Sequence, residues 1–256
     1  MTDLYILGVQ KNTTNIGVLL ELGRVPLETY AIKAAIQNWE RIKSKHVNAH
    51  LKTSYENAIE DNLPWISNIK DILDKNGMTC FHINTYNDKS PFVHKKIFRT
   101  ISDIFHQEAF STITKEKSKL RTYGILKREI GIEKYLYEIK NSSIRQSVTK
   151  LRLSNHCLNI ETGRHRNLPK QLRFCPFCPN SIESEVHFLI ECNTYNVLRK
   201  EIQREVVQNK PNFEYYTPTE KFELLLSEEN VHSTSKFIHN CFEIRSFLTT
   251  HPKQHI

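Results

Sequence analysis

The stretch FCPFCPNSIESEVHFLIEC, residues 174–192, places Cys175, Cys178, His187 and Cys192 at the spacing C-x2-C-x8-H-x4-C. Thiolate sulfur and imidazole nitrogen are the ligands zinc prefers in a tetrahedral site, and one turn followed by one helix can supply all four. Pro176 fixes the backbone inside the Cys175/Cys178 turn. Asn180, with Glu183 three residues on, predicts a capped helix start, and Glu185 to Glu191 reads as a short helix carrying His187 inward. Four residues separate His187 from Cys192, so the two do not share an ideal helical face. The helix must therefore loosen near Cys192 for the site to close. Phe174, Phe177, Val186, Phe188 and Leu189 interleave with the ligands as an apolar plug. The competing reading, ordinary core cysteines and a core histidine, has four ligand types at ligand spacing against it. Four protein ligands leave no open position for water or substrate, which predicts a structural rather than a catalytic metal.

The surroundings of this stretch are basic. Between Asn141 and Phe174 stand Arg145, Lys150, Arg152, Arg164, Arg166, Lys170 and Arg173 against one acid, Glu161. Lys115, Lys117, Lys119 and Arg121 form a second cluster, followed by Lys127 and Arg128. The net charge of +8 over 256 residues has the same sign. Cations gathered beside a small zinc module are the electrostatic footprint of a binder of phosphate backbone, RNA or DNA. The plain alternative is a solvated helix face. The expected contacts are Arg152, Arg164, Arg166, Lys170 and Arg173, with Lys115, Lys117, Lys119 and Arg121 behind them. Nothing in the sequence predicts the reading of base edges.

Elsewhere the pattern is helical. Leu22 to Lys45 predicts a helix with Pro26 in its first turn, Glu28 near its positive end and a wide apolar face of Leu27, Tyr30, Ala31, Ala34, Ile36 and Trp39. His50–Ile59 and Trp65–Asp74 read as two further helices around Asn62-Leu63-Pro64, the second stopped by Asn76-Gly77. Past a polar link at 84–91, several helices are punctuated by Gly124, Gly131 and Asn141-Ser142-Ser143. Val197–Gln208, Thr219–Leu226 and Ser235–Leu248 predict the last helices, with a frayed tail from His251. Brief strands are conceivable only at 121–123 and 172–174. The expectation is a mainly α chain: a helical bundle-like N-terminal part, a small Cys/His zinc module and C-terminal helices. Its segments are a connector-like region 1–84, a basic helical region 85–170, the zinc module 171–200 and the C-terminal helices 201–256.

A hydrophobic share of 39% and a charged share of 25% are those of a folded globular protein. No stretch approaches the roughly 20 apolar residues of a membrane span, and MTDLYILGVQKNTTN lacks the basic leader and apolar core of a signal peptide. An intracellular setting follows, nuclear or cytoplasmic, where thiols stay available to metal. Cys80, Cys157 and Cys241 are then expected as small core residues. The seven glycines form no phosphate-cradling loop, and the six aspartates never adjoin, so the paired carboxylates of two-metal polymerases and nucleases are missing. No enzyme and no small-molecule substrate are expected.

The runs KLRTYGILK (119–127), KLRLSNHCLNIETGRHRNLPKQLRFCPFC (150–178) and ESEVHFLIECNTYNVLR (183–199) resemble the C-terminal region of non-LTR retrotransposon reverse transcriptases. ELGRVPLETYAIKAAIQNWERI (21–42) is similar to the helical connector that follows the polymerase there. The resemblance implies that Cys175, Cys178, His187 and Cys192 are zinc ligands and that the chain handles template or target nucleic acid. Polymerase and endonuclease signatures are absent, so it implies a C-terminal part without the parent's catalysis. A zinc-stapled structural or protein-interaction module, a decayed element fragment and a cryptic enzyme are the other readings.

Overall fold

The computed structural model describes residues 2–43, 48–81, 92–115 and 119–251, without the side chains of Thr2 and Cys80. Its helices are α1 (Thr2–Leu7), α2 (Asn15–Glu21), α3 (Leu27–Lys43), α4 (Ala49–Glu60), α5 (Pro64–Lys75), α6 (Val93–Ile113), α7 (Tyr123–Leu126), α8 (Tyr135–Glu138), α9 (Ser142–Arg152), α10 (Asn159–His165), α11 (Asn196–Asn209), α12 (Pro218–Leu225) and α13 (Val231–Thr250). No strand forms among the described residues. Pairing is limited to two isolated antiparallel bridges, Leu22 with Ile132 and Phe174 with Ile182. The mainly α expectation is met. The strand considered at 121–123 is instead the approach to α7, and the one at 172–174 shrinks to a single bridge.

The chain divides into two compact units, Val25–Ala109 and a second formed by Met1–Arg24 with Phe110–Ile256. The predicted segment 1–84 is therefore split near Arg24, and the polar link at 84–91 lies outside the described residues. The reason for the split is visible at Glu21. Its carboxylate takes a hydrogen bond from Arg152 Nε at 2.8 Å and one from Tyr135 Oη at 2.5 Å, so the end of α2 belongs with α8 and α9.

In the unit Val25–Ala109, α3, α4 and α5 meet around Ile36, Trp39, Tyr55, Ile66, Ile69 and Leu73. Trp39 Nε1 donates to Tyr55 Oη at 3.0 Å, so the buried indole keeps its polar partner. The buried stripe of α3 runs through Thr29, Ile36 and Trp39 at helical spacing. Leu27, 82% exposed, and Tyr30 lie off that stripe, which makes the apolar face narrower than predicted. The helix also starts five residues later than predicted, because Leu22 pairs with Ile132. Pro64 opens α5. Gly77 closes it at φ +67, with Met78 N reaching back to Leu73 O at 2.8 Å.

In the other unit α9 lies against α13, and their apolar faces join the residues of the Cys/His stretch in one core that includes Val148, Leu151, Phe188, Leu189, Phe237 and Ile238. The segment 171–200 is thus part of a larger core rather than a separate module. Asn141 caps α9, accepting from Ser143 N and Ile144 N. Gly124, predicted as punctuation, sits inside α7, where a Cβ would lie 2.6 Å from the Ile113 carbonyl oxygen. It is a close-packing residue, not a break.

Candidate metal centre

The turn that presents the first two cysteines is a miniature hairpin. Cys175 N donates to Ser181 O at 2.7 Å and Glu183 N to Arg173 O at 2.9 Å, on either side of the Phe174–Ile182 bridge. Asn180 takes the left-handed conformation, φ +56, that a tight turn requires. It is a turn residue, so the predicted Asn180/Glu183 cap does not form. The cap comes from Ser184, whose Oγ accepts from His187 N at 3.1 Å.

The helical turn that follows does loosen. His187–Glu191 is a π-helical turn, closed by Cys192 N donating to His187 O at 2.8 Å. A bond to the fifth residue back widens the turn and brings Cys192 round towards the imidazole. The carbonyls released by this widening find a donor in Arg199, whose Nε reaches Leu189 O at 2.7 Å and Nη2 reaches Cys192 O at 2.5 Å. Phe188 and Leu189 bury completely on the far side, Phe188 against Tyr195 and Phe242. Phe177 and Val186 pack partly buried against the same core, whereas Phe174, 40% exposed, lies outside the expected plug.

The donor atoms of Cys175, Cys178, His187 and Cys192 all lie within 4.8 Å of one another. Cys192 Sγ is 3.9 Å from Cys175 Sγ and 3.6 Å from Cys178 Sγ. A tetrahedron with metal–sulfur bonds of about 2.3 Å has edges of about 3.8 Å. His187 Nδ1 lies 3.4 Å from Glu191 Oε2. That leaves Nε2 buried with no hydrogen-bond partner, as a lone pair for a metal ion. A carboxylate on the non-ligating nitrogen is the usual way a metal-binding imidazole is oriented. The thiols are interdependent. Hydrogen bonding from Cys175 pulls Cys192 down to about 3 against the opposing effect of burial. Cys175 is pushed up by its bond to Cys192 and by burial, and Cys178 is pushed up by burial. The neighbouring Cys192 sulfur also raises His187. A cation among the four groups relieves this competition, because it favours the thiolate form of every sulfur. The cluster can hold a metal ion.

The remaining cysteines differ. Cys241 is buried, as expected. Cys157 is exposed, a correction, with Sγ accepting from Arg245 Nη1 at 3.5 Å. The side chain of Cys80 lies outside the description.

Several cations expected at the surface are committed inside the protein. Arg152 is 2% exposed, bound to Glu21 and, at 2.7 Å, to Glu133, so it cannot meet a phosphate. Arg121 is divided between Glu161 at 2.6 Å and Glu185 at 2.5 Å. Arg173 donates to Ile160 O at 2.7 Å and Leu168 O at 2.8 and 3.0 Å, bracing the 164–172 segment. Lys119 Nζ holds Asn12 O at 3.2 Å. Lys115, Arg166 and Lys170 are exposed without an ion pair among the described residues; Arg164 is exposed but bonded to Glu161, and Lys117 lies outside the description.

Sequence reasoning missed Arg199, Arg245 and His156. Arg245 forms a two-pronged pair with Glu183 at 2.7 and 2.8 Å. His156 Nε2 stands 3.0 Å from Glu185 Oε1. These groups leave no local spacing signal, since their partners come from other elements.

No protein-family model, curated protein or solved structure matches the chain. No described helix is long and apolar enough to cross a membrane.

Proposed function

We propose that the chain is a non-catalytic zinc-binding protein whose metal-stapled C-terminal unit binds the phosphate backbone of RNA or DNA. The observation that carries this reading is the attachment of an exposed, acid-free basic segment to the Cys/His cluster. Residues 164–172 are all exposed and carry Arg164, Arg166 and Lys170. Arg173 braces them, and its own carbonyl is bonded to Glu183 N in the cysteine hairpin. Zinc is the metal that fits three thiolates and one imidazole in a closed tetrahedral set. In such a site its role is to fix the hairpin and the π-turn, and through them the basic segment. Descent from the C-terminal part of a non-LTR retrotransposon reverse transcriptase is supported by the three sequence runs quoted above. An intracellular location accords with thiolate ligation.

Metal content and salt dependence test the reading together. Purified protein should carry about one zinc per chain. Its affinity for a short oligonucleotide should fall steeply with salt, and Arg166→Ala and Lys170→Ala should each reduce the log–log slope by about 0.7–0.9. Binding that is flat between low and moderate salt refutes the electrostatic mechanism. A second reading, a protein-interaction module, draws on Leu172 and Phe174, which are 54% and 40% exposed beside the same cations. Metal-loaded protein with no nucleic-acid affinity and a purified homodimer would favour it.

A further inference from the structure

The segment that carries the free cations also carries apolar surface that backbone binding leaves unused. Leu168, Leu172 and Phe174 are 39%, 54% and 40% exposed, in the same run as Arg166 and Lys170. One exposed leucine is ordinary; large apolar side chains interleaved with cations mark a surface that meets something. Phe174 is turned outward because its neighbour is turned inward. Successive side chains alternate across extended backbone, and the pairing of Phe174 with Ile182 leaves Cys175 on the buried side.

The ring is presented from a fixed frame. Asn159 Nδ2 donates to Phe174 O at 2.7 Å, and the hairpin bonds of Cys175 N and Glu183 N lie on either side at 2.7 and 2.9 Å. The stem of Arg173 crosses Gly163, where a Cβ would stand 2.7 Å from Arg173 Cγ, and its guanidinium holds Leu168 O. Pro169 stiffens the chain between the two leucines. A surface set in place before binding loses little conformational freedom when a partner arrives. The acids of α10 and the hairpin do not compete for the cations. Glu161 is bonded to Arg121 and Arg164, Glu185 to Arg121, and Glu183 to Arg245.

Two chemistries meet on this face. Phosphates answer the cations whether or not the strand is paired. The ring and the leucines gain only from a flat apolar partner. In a duplex the bases are stacked on one another, whereas in a single strand their faces are open to an aromatic platform. A polyanion with open apolar faces is single-stranded nucleic acid.

We propose that residues 164–174 bind single-stranded rather than double-stranded nucleic acid, with one base stacked on the ring of Phe174 and the neighbouring phosphates on Arg166 and Lys170. This rests on the backbone binding proposed above and adds the form of the ligand to it. Base identity is not read, because every base offers a face of the same kind.

Fluorescence anisotropy on the full metal-loaded chain compares short probes of one sequence. They are the single strand as DNA and as RNA, the DNA duplex, and an abasic DNA strand that keeps the phosphates and loses the bases. The single strand should bind at least about fivefold more tightly than the abasic strand, the lower end of what one stacked base contributes. It should also bind more tightly than the duplex, although the duplex has the denser charge. Phe174→Leu should erase the advantage over the abasic strand without changing the salt slope, because no phosphate contact is lost. Phe174→Tyr should keep the advantage. Unchanged helical circular dichroism checks that both variants fold. Whichever of the DNA and RNA strands binds more tightly names the source of the ligand, and either supports the proposal. Equal affinity for the strand and its abasic form overturns it, as does a duplex bound as tightly as the strand or an advantage that survives Phe174→Leu. In those cases a steep salt slope still upholds backbone binding. Failure of every probe to bind overturns both and returns Leu172 and Phe174 to a protein partner.

Discussion

The two compact units hold their helices by different chemistry. In Val25–Ala109 the core is apolar side chains on a helical stripe, and its polar contacts are the Trp39–Tyr55 hydrogen bond and a single carboxylate, Glu40, held by Val93 N and His94. In the unit of Met1–Arg24 with Phe110–Ile256 the apolar core is threaded by buried charge. Arg152 joins Glu21 and Glu133, Arg121 joins Glu161 and Glu185, Arg245 joins Glu183, and Arg199 caps the π-turn. The contrast follows from helix length. The α3–α5 segments are 12 to 17 residues and present whole stripes. The other unit sets short elements, α2, α7, α8 and α10, among its longer α9, α11 and α13, and the end groups of the short ones must be bonded from elsewhere. Arg199 reaches the carbonyls of Leu189 and Cys192 and Arg145 that of Ile139 after α8, while the buried ion pairs tie the short elements to their neighbours. They make the second unit depend on a few specific groups, where the first depends on area.

Loss of the proposed zinc should separate the units most strongly. Structural zinc contributes free energy on the order of 10 kcal/mol in small domains. Chelation, or Cys178→Ser, should therefore remove amide hydrogen-exchange protection across 173–199. The loss should extend to α12, which packs against the π-turn. Protection in α3, at 27–43, should stay within a few tenths of a log unit. Uniform loss across the chain would show that the two units unfold as one.

Single buried side chains should sharpen the contrast at the next level. Arg152→Met strands Glu21 and Glu133 without their cation, and removing one partner of a buried pair costs about 3–5 kcal/mol. Leu73→Ala removes apolar volume from the other core, at about 2–5 kcal/mol depending on how far the site collapses. Urea unfolding followed by exchange at α9 and α5 should place each loss in its own unit. Glu21→Gln added to Arg152→Met should recover part of the first loss, since a neutral amide is less costly to bury alone. Nothing comparable should rescue Leu73→Ala except refilled volume.

How much was legible in the sequence follows the same division. Local spacing carried the Cys/His cluster, the loosening before Cys192, the Pro64 start and Gly77 stop of α5, and the break at Asn141-Ser142-Ser143, because each is decided within a few residues. What failed was the inference from the sign of a charge to a free surface position at Arg152, Arg121 and Arg173, whereas Lys115, Arg166 and Lys170 are exposed as expected. Arg152 and Arg121 read as surface cations because their partners lie far along the chain, Glu21 being 131 positions from Arg152. The same distance hid the membership of α1 and α2 in the C-terminal unit. Asn180 was misread for a different reason: Asn serves both helix caps and left-handed turns, and only the pairing of Phe174 with Ile182 selects the turn. His156 and Arg245 were invisible for the first reason again, their carboxylate partners lying 29 and 62 positions along the chain.

The smallest effect offers the cleanest control, since each unit contains one asparagine cap of the same kind. Asn48 accepts from His50 N at 2.7 Å at the start of α4, and Asn141 accepts from Ser143 N at 3.0 Å and Ile144 N at 3.2 Å at the start of α9. Cap removal by alanine costs about 1 kcal/mol whatever lies beneath the helix. Asn48→Ala and Asn141→Ala should therefore destabilise their units by similar amounts, with Asn141→Ala the larger because two amides lose their acceptor. If the buried-charge unit tolerates less error because its contacts are few and directional, Asn141→Ala should exceed that figure. A tilt of α9 would disturb the Arg152–Glu21 bond at its far end. The discriminating measurement is the double variant Asn141→Ala/Arg152→Met. Additive losses would make the cap and the ion pair independent, whereas a double-variant loss smaller than the sum of the two single losses would show that the cap sets the position of the arginine.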